Sequence, residues 1–409
     1  MKRNLLIGAT FVAVVVMLGF GQARLVRAAA AQSKGGQAPI FEVDPLWPKP
    51  MPNHWLLGST IGVWVDDQEH VWIIHRSSAT LNERERGLEV SPPTGECCAG
   101  APPVLEFDQA GNLLRHWGGP GQGYEWPDSN HGIFVDHTGS VWIGGNGGPD
   151  QHLLKFTKDG KFLMQSGKKG ARPGPPGKNG QPTYLPDSND PSNFGRVAKI
   201  FVEPKANEAY VADGYFNRRV AVLDGNSGKI KRFWGAYGNK PDDTPLGPYN
   251  PDAPPAQQFR GPVHCADVSN DGYVYVCDRN GDRIQVFTKD GKFVKEGFLA
   301  KRSLGEGSTW DVAFSRDKDQ RYLFVADGRN QKVHIVLRDT LEELTNFGDG
   351  GRQPGQFFGV HSIATDSKGN IYTTETYEGK RVQKFVYKGM GPVRTMNQGP
   401  AWPRRSTSN

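Results

Sequence analysis

His264-Cys265-Ala266-Asp267-Val268-Ser269-Asn270-Asp271-Gly272-Tyr273-Val274-Tyr275-Val276-Cys277 is the stretch that decides the fold. Two short β-rich runs flank an Asn-Asp-Gly turn, which is a hairpin signal. A third run, Ile284-Gln285-Val286-Phe287, follows after a polar loop. The same unit recurs six times, with first strands at 62–66, 132–136, 199–203, 265–269, 311–315 and 362–366. Second strands follow at 71–74, 141–143, 209–211, 274–276, 323–325 and 371–373. A fourth strand often ends in an aromatic residue and Gly, as in Trp117-Gly118 and Trp234-Gly235. Periodicity is alternating or short and apolar, with no helical period after the N-terminal run. Six units of four antiparallel strands predict an all-β, six-bladed β-propeller. His54-Trp55-Leu56-Leu57-Gly58 resembles the outer-strand endings yet precedes the first blade, so it could complete the sixth and close the ring.

Five residues before each Asp66-type position stand Ile61, His131, Ala198, His264, Trp310 and His361. Histidine therefore occupies one slot in blades two, four and six, although only 10 of the 409 residues are histidine. Alternate blades of a six-fold ring lie about a third of a turn apart, so the three imidazoles would converge on the axis. Three neutral imidazoles with an open fourth position suit a catalytic zinc ion, or another divalent transition metal.

Residues 1–31 read as an export signal: Lys2 and Arg3, an apolar run from Leu5 to Phe20, then Ala28 to Ala31. Removing them lowers the formal charge from +6 to about +2, and no dense basic stripe remains, so nucleic acid is not an expected partner. The expected organisation is a signal at 1–31, an extension at 32–53, the propeller at 54–390 and a tail at 391–409. A periplasmic or secreted monomer, free of the membrane once the leader is cleaved, is expected. Export permits disulfides. Cys265 and Cys277 could face each other across the hairpin, Cys97 and Cys98 are vicinal, and the pairing stays open.

Blade topology puts the histidine slot and the loops between second and third strands on one face. Those loops carry Arg76, Tyr215 and Arg279. Long insertions at 77–103, 168–195 and 236–258 fall on the same side and could wall a substrate cleft. His75, His116, His137 and His152 lie outside the slot and read as structural, with His75 held in reserve because it adjoins Arg76.

These residues resemble the peptidyl-α-hydroxyglycine α-amidating lyases, a family of propellers with NHL-type repeats, over most of 55–387. The family's three metal-binding histidines match His131 in Asn130-His131-Gly132-Ile133, His264 in Pro262-Val263-His264-Cys265 and His361 in Val360-His361-Ser362-Ile363. Its catalytic tyrosine matches Tyr215 in Asp213-Gly214-Tyr215-Phe216-Asn217-Arg218-Arg219, and its two active-site arginines match Arg76 and Arg279. The resemblance implies cleavage of the N–C bond of a small-molecule or peptide substrate ending in an α-hydroxyglycine-like group, giving a primary amide and glyoxylate. It implies Tyr215 as base, with nearby positive charge favouring the phenolate, Arg76 as its activating or orienting partner and Arg279 as a second cation near the site or the substrate carboxylate, the division between the two arginines staying open. The family's calcium site uses an aspartate after the third histidine; Ser362 stands there, which leaves a structural calcium doubtful. Two other functions compete: a metal-assisted hydrolase such as a lactonase, against which the all-histidine slot counts, and a non-catalytic binding scaffold.

Overall fold

The computed structural model describes residues 36–393, 398–400 and 402. The export signal expected at 1–31 lies outside the described residues. Six four-stranded antiparallel sheets form the blades of a β-propeller. Their inner strands are Thr60–Val65, Asn130–Val135, Val197–Glu203, Val263–Val268, Asp311–Phe314 and Val360–Thr365. Each blade's residues alternate between its two faces, and six apolar clusters fill the seams between neighbouring blades. No helix among the described residues is long and apolar enough to cross a membrane.

Ring closure differs from the expectation. The outer strand of blade six is Gln37–Asp44, which pairs antiparallel with Arg381–Pro392. Residues 32–53 thus contain the closing strand and are not a mere extension, and the last strand runs two residues into the expected tail. Phe41 drives the pairing: its ring lies 5.4 Å from both Phe324 and Phe347 and 5.9 Å from Tyr387. The segment expected to close the ring instead pairs in parallel, Trp55–Leu56 against Ala99–Gly100 of the first long insertion. Its tryptophan meets an outer strand edge-on, at His116, and so resembles one without being one.

The first hairpins of blades one, two and six are set by an acid just past the inner strand. Asp66 and Asp136 each accept two backbone N–H groups of the following turn and the indole N–H of Trp72 or Trp142. Asp366 does the same with Tyr372 in place of tryptophan. Such turns satisfy donors that the chain reversal would otherwise bury.

In five of the six blades the slot lies at a β-bulge. Pairing of inner and second strands skips Ile61, Ala198, His264 and His361, while in blade two it skips Gly132 beside His131. A bulge leaves its extra residue out of the ladder and re-aims the side chain, here toward the axis. Gly132 has φ +66°, and a Cβ there would meet the Ala198 carbonyl oxygen at 2.5 Å, so glycine is required.

Candidate active site on the propeller axis

The rings of His131, His264 and His361 converge on the axis. Their centroids are 5.3 Å apart for His131 and His264, and 4.8 Å for each of the other two pairs. One nitrogen from each lies within 4.8 Å of the others. All three are buried. Burial, reinforced by the Arg76 charge, drives the His131 imidazole down to about 3. Burial likewise holds His264 and His361 well below the usual histidine value, so all three are neutral near pH 7.

Neighbouring blades fix the tautomers. His131 Nδ1 lies 2.7 Å from the Ala198 carbonyl and His264 Nδ1 lies 2.5 Å from that of Trp310. The slot carbonyls of blades three and five therefore each accept a hydrogen bond from the preceding histidine, leaving its Nε2 as an inward lone pair. A carbonyl on the second nitrogen is the usual support for a metal-ligating imidazole. His361 departs from the pattern: its Nδ1 is buried without a hydrogen-bond partner, which costs free energy unless a ligand compensates. The donor set therefore fits a divalent transition metal.

Two other acid-rich groups have ligand spacing, but each has members already engaged by other partners. His70 and Arg115 both engage Glu106, while Asp66 pairs with Lys158. Cys265 is bonded to Cys277, its partner across the ladder; Cys97 and Cys98 form the other disulfide. Below the imidazoles, Lys199 Nζ lies 2.5 Å from Asp311 and 3.0 Å from Asp267. Burial and the neighbouring Asp311 push Asp267 up to about 7, against the pull of Lys199. Ser362 donates to Asp311 at 2.5 Å. An ammonium thus supplies the positive charge between these two carboxylates.

Tyr215 sits over the triad. Its Oη is 3.0 Å from His131 Nε2 and 2.9 Å from His264 Nε2. Arg279 Nη1 donates to the same oxygen at 3.4 Å, and its guanidinium also lies 4.4 Å from the Trp310 ring. Arg76 stands one step back, donating to Asn146 Oδ1 at 3.0 Å; burial weakens its charge, which Tyr215, Tyr377 and Asp150 favour. The arginine against the phenol is therefore Arg279, not Arg76. Asp278 does not neutralise Arg279, because its carboxylate pairs with Arg283 at 2.8 Å.

Each of these three residues follows a buried anchor at the end of a second strand. Tyr215 comes two residues after Asp213, which is buried with Arg219 at 2.8 Å and accepts the Gly195 N–H. Arg279 follows Asp278, which also accepts the N–H groups of Arg260 and Gly261. Arg76 follows His75, whose Nδ1 accepts from Gly58 and Ser77 while Nε2 donates to the Pro102 carbonyl. His75, lowered by burial to about 4, is thus an anchor. The insertions also lie on this face. Ser188 of the second binds Asp243 of the third, and Lys380 of blade six pairs with Glu85 of the first at 2.7 Å.

Ala198 and Trp310 share the slot in the sequence, but the role of their carbonyls follows only from how neighbouring blades pack. Nothing in the sequence points to Asn146 or to Tyr377, whose ring centroid lies 6.4 Å from that of Trp310.

No protein-family model matches the chain. The chain is 28% identical over 370 residues to NHL repeat-containing protein 3 of Mus musculus, covering 85% of this chain and 84% of that protein. It is 29% identical over 171 residues to peptidyl-glycine alpha-amidating monooxygenase B of Xenopus laevis, covering 41% of this chain and 16% of that protein. A solved streptogramin B lyase is 12% identical with a TM-score of 0.48, covering 86% of this chain and 98% of that one.

Proposed function

We propose that this propeller is an exported lyase that cleaves N-acyl- or peptidyl-α-hydroxyglycine to a primary amide and glyoxylate. The observation that carries this reading is the Tyr215 oxygen, within hydrogen-bond reach of two inward imidazole nitrogens and of Arg279. The partial likeness to an amidating monooxygenase supports it. So does the Cys265–Cys277 disulfide, since such bonds persist in oxidising compartments.

His131, His264 and His361 would hold a divalent metal, zinc foremost, which when bound supplies a Lewis acid for a substrate oxygen. The chain's own residues do the rest. Tyr215 accepts the proton of the substrate hydroxyl, whose oxygen becomes the aldehyde oxygen of glyoxylate. The C–N bond breaks with its electron pair going to nitrogen, and Tyr215 returns the proton there to complete the amide. Arg279 steadies the phenolic oxygen and Arg76 adds positive charge at the carboxylate end. Neither guanidinium has a carboxylate partner among the described residues, which leaves both free for an anionic substrate.

The test is glyoxylate release from N-acetyl-α-hydroxyglycine. Tyr215→Phe is expected to lower kcat by about 10²–10⁴-fold, the usual worth of a positioned acid–base group, with metal content unchanged. Full activity in that variant would remove the proposed base. The extensive likeness to a protein named only for its repeats favours a second reading, a non-catalytic scaffold; it predicts no glyoxylate from the metal-loaded protein.

A further inference from the structure

Arg76, Arg196 and Arg279 have no ion-pair partner among the described residues; Arg76 and Arg279 act on the imidazoles, while Arg196 meets the backbone of Tyr215. Arg76 and Arg279 are engaged in the proposed chemistry; Arg196 is surplus to it. Arg172, Arg219 and Arg283 are each closed on an acid, and Arg196 is not. Its Nε is buried with no hydrogen-bond partner. The guanidinium carbon lies 3.4 Å from the ring centroid of Phe216, so the two stack. Stacking on an aromatic face leaves the edge donors of the planar fork free to bind a carboxylate in bidentate fashion.

Position ties this residue to the site. The Arg196 carbonyl accepts the Tyr215 N–H at 3.3 Å, and Phe216 is the next residue in the chain. Arg196 has φ +67°, a left-handed conformation that side-chain-bearing residues avoid. Asp150 acts on the Arg196 charge, but the Asp150 oxygens accept the backbone N–H groups of Asp128, Ser129 and Gly147. Asp150 therefore knots its own loop and leaves the Arg196 fork unclaimed.

We propose that Arg196, stacked on Phe216, binds an acidic group on the acyl portion of the substrate, making doubly anionic substrates the preferred ones. This rests on the lyase reading for its turnover arm only. The probes are N-glutaryl-α-hydroxyglycine and its uncharged terminal amide, compared in the metal-loaded wild type and Arg196→Met, with calorimetric titration of free glutarate in parallel. Wild type is expected to favour the glutaryl substrate in kcat/KM by about tenfold or more, the range for a charged hydrogen bond. Arg196→Met is expected to erase that preference through KM, leave turnover of the amide unchanged and weaken glutarate binding comparably. An equal preference in both proteins, or none in wild type, overturns the proposal. If neither substrate releases glyoxylate, the lyase reading fails and glutarate alone decides: binding lost in Arg196→Met supports the subsite, and binding unaffected or absent overturns it. Should Arg196→Met not fold, Phe216→Leu removes the stacking platform and is read by the same measures.

Discussion

A buried histidine can be a ligand, an anchor or an ion-pair partner, and its nearest neighbours decide which. His131 and His264 face the axis with their outer nitrogens tied to carbonyls; His75 is closed off on all sides. His334 is the third kind, held 2.9 Å from Asp327 and 2.7 Å from Glu343. Burial opposes its charge, but the two carboxylates more than offset this and raise it to about 9. Because that value lies above the unfolded one near 6.5, the stabilisation is complete below about pH 6.5 and is lost as pH climbs through 9. We predict that chemical denaturation of wild type loses on the order of 2 kcal/mol between pH 6.5 and 9.5, and that His334→Gln flattens this slope. An unchanged slope in the variant would show that other groups set it. At this scale the triad and Tyr215 were legible, since one repeat slot and one motif carry them. The division between the two arginines was not, because reach across blades depends on loop paths that spacing does not encode.

Strands explain both the success and the failure of the reading. Inner strands were legible because each pairs with the segment that follows it through a short turn. The bulge that aims the slot toward the axis was invisible, since it changes pairing and not composition; only Gly132, with its positive φ, leaves a trace. The closing strand was missed for a different reason. Gln37–Asp44 pairs with residues at least 340 positions away, and an irregularity between Pro39 and Phe41 breaks its alternation. The Phe41 side chain, 6% exposed, should carry much of that closure. Phe41→Ala is expected to cost about 3–5 kcal/mol, as for other large buried aromatics, measured by urea unfolding. A cost below about 1 kcal/mol would mean that the strand is not a structural part of the ring.

The whole ring converts a one-dimensional repeat into a three-fold constellation. Six blades put alternate slots on three sides of one axis, and the intervening blades supply the carbonyls at two of the three corners. Closure through the N-terminal strand holds blade six, and with it His361, against blade one. The most direct test of this account is the metal content of the purified protein after zinc loading and desalting, compared with His264→Ala folded to the same circular-dichroism spectrum. About one ion per wild-type chain is expected, with at least nine-tenths of it lost in the variant. Wild type that retains no ion, or a variant that retains as much as wild type, would contradict it.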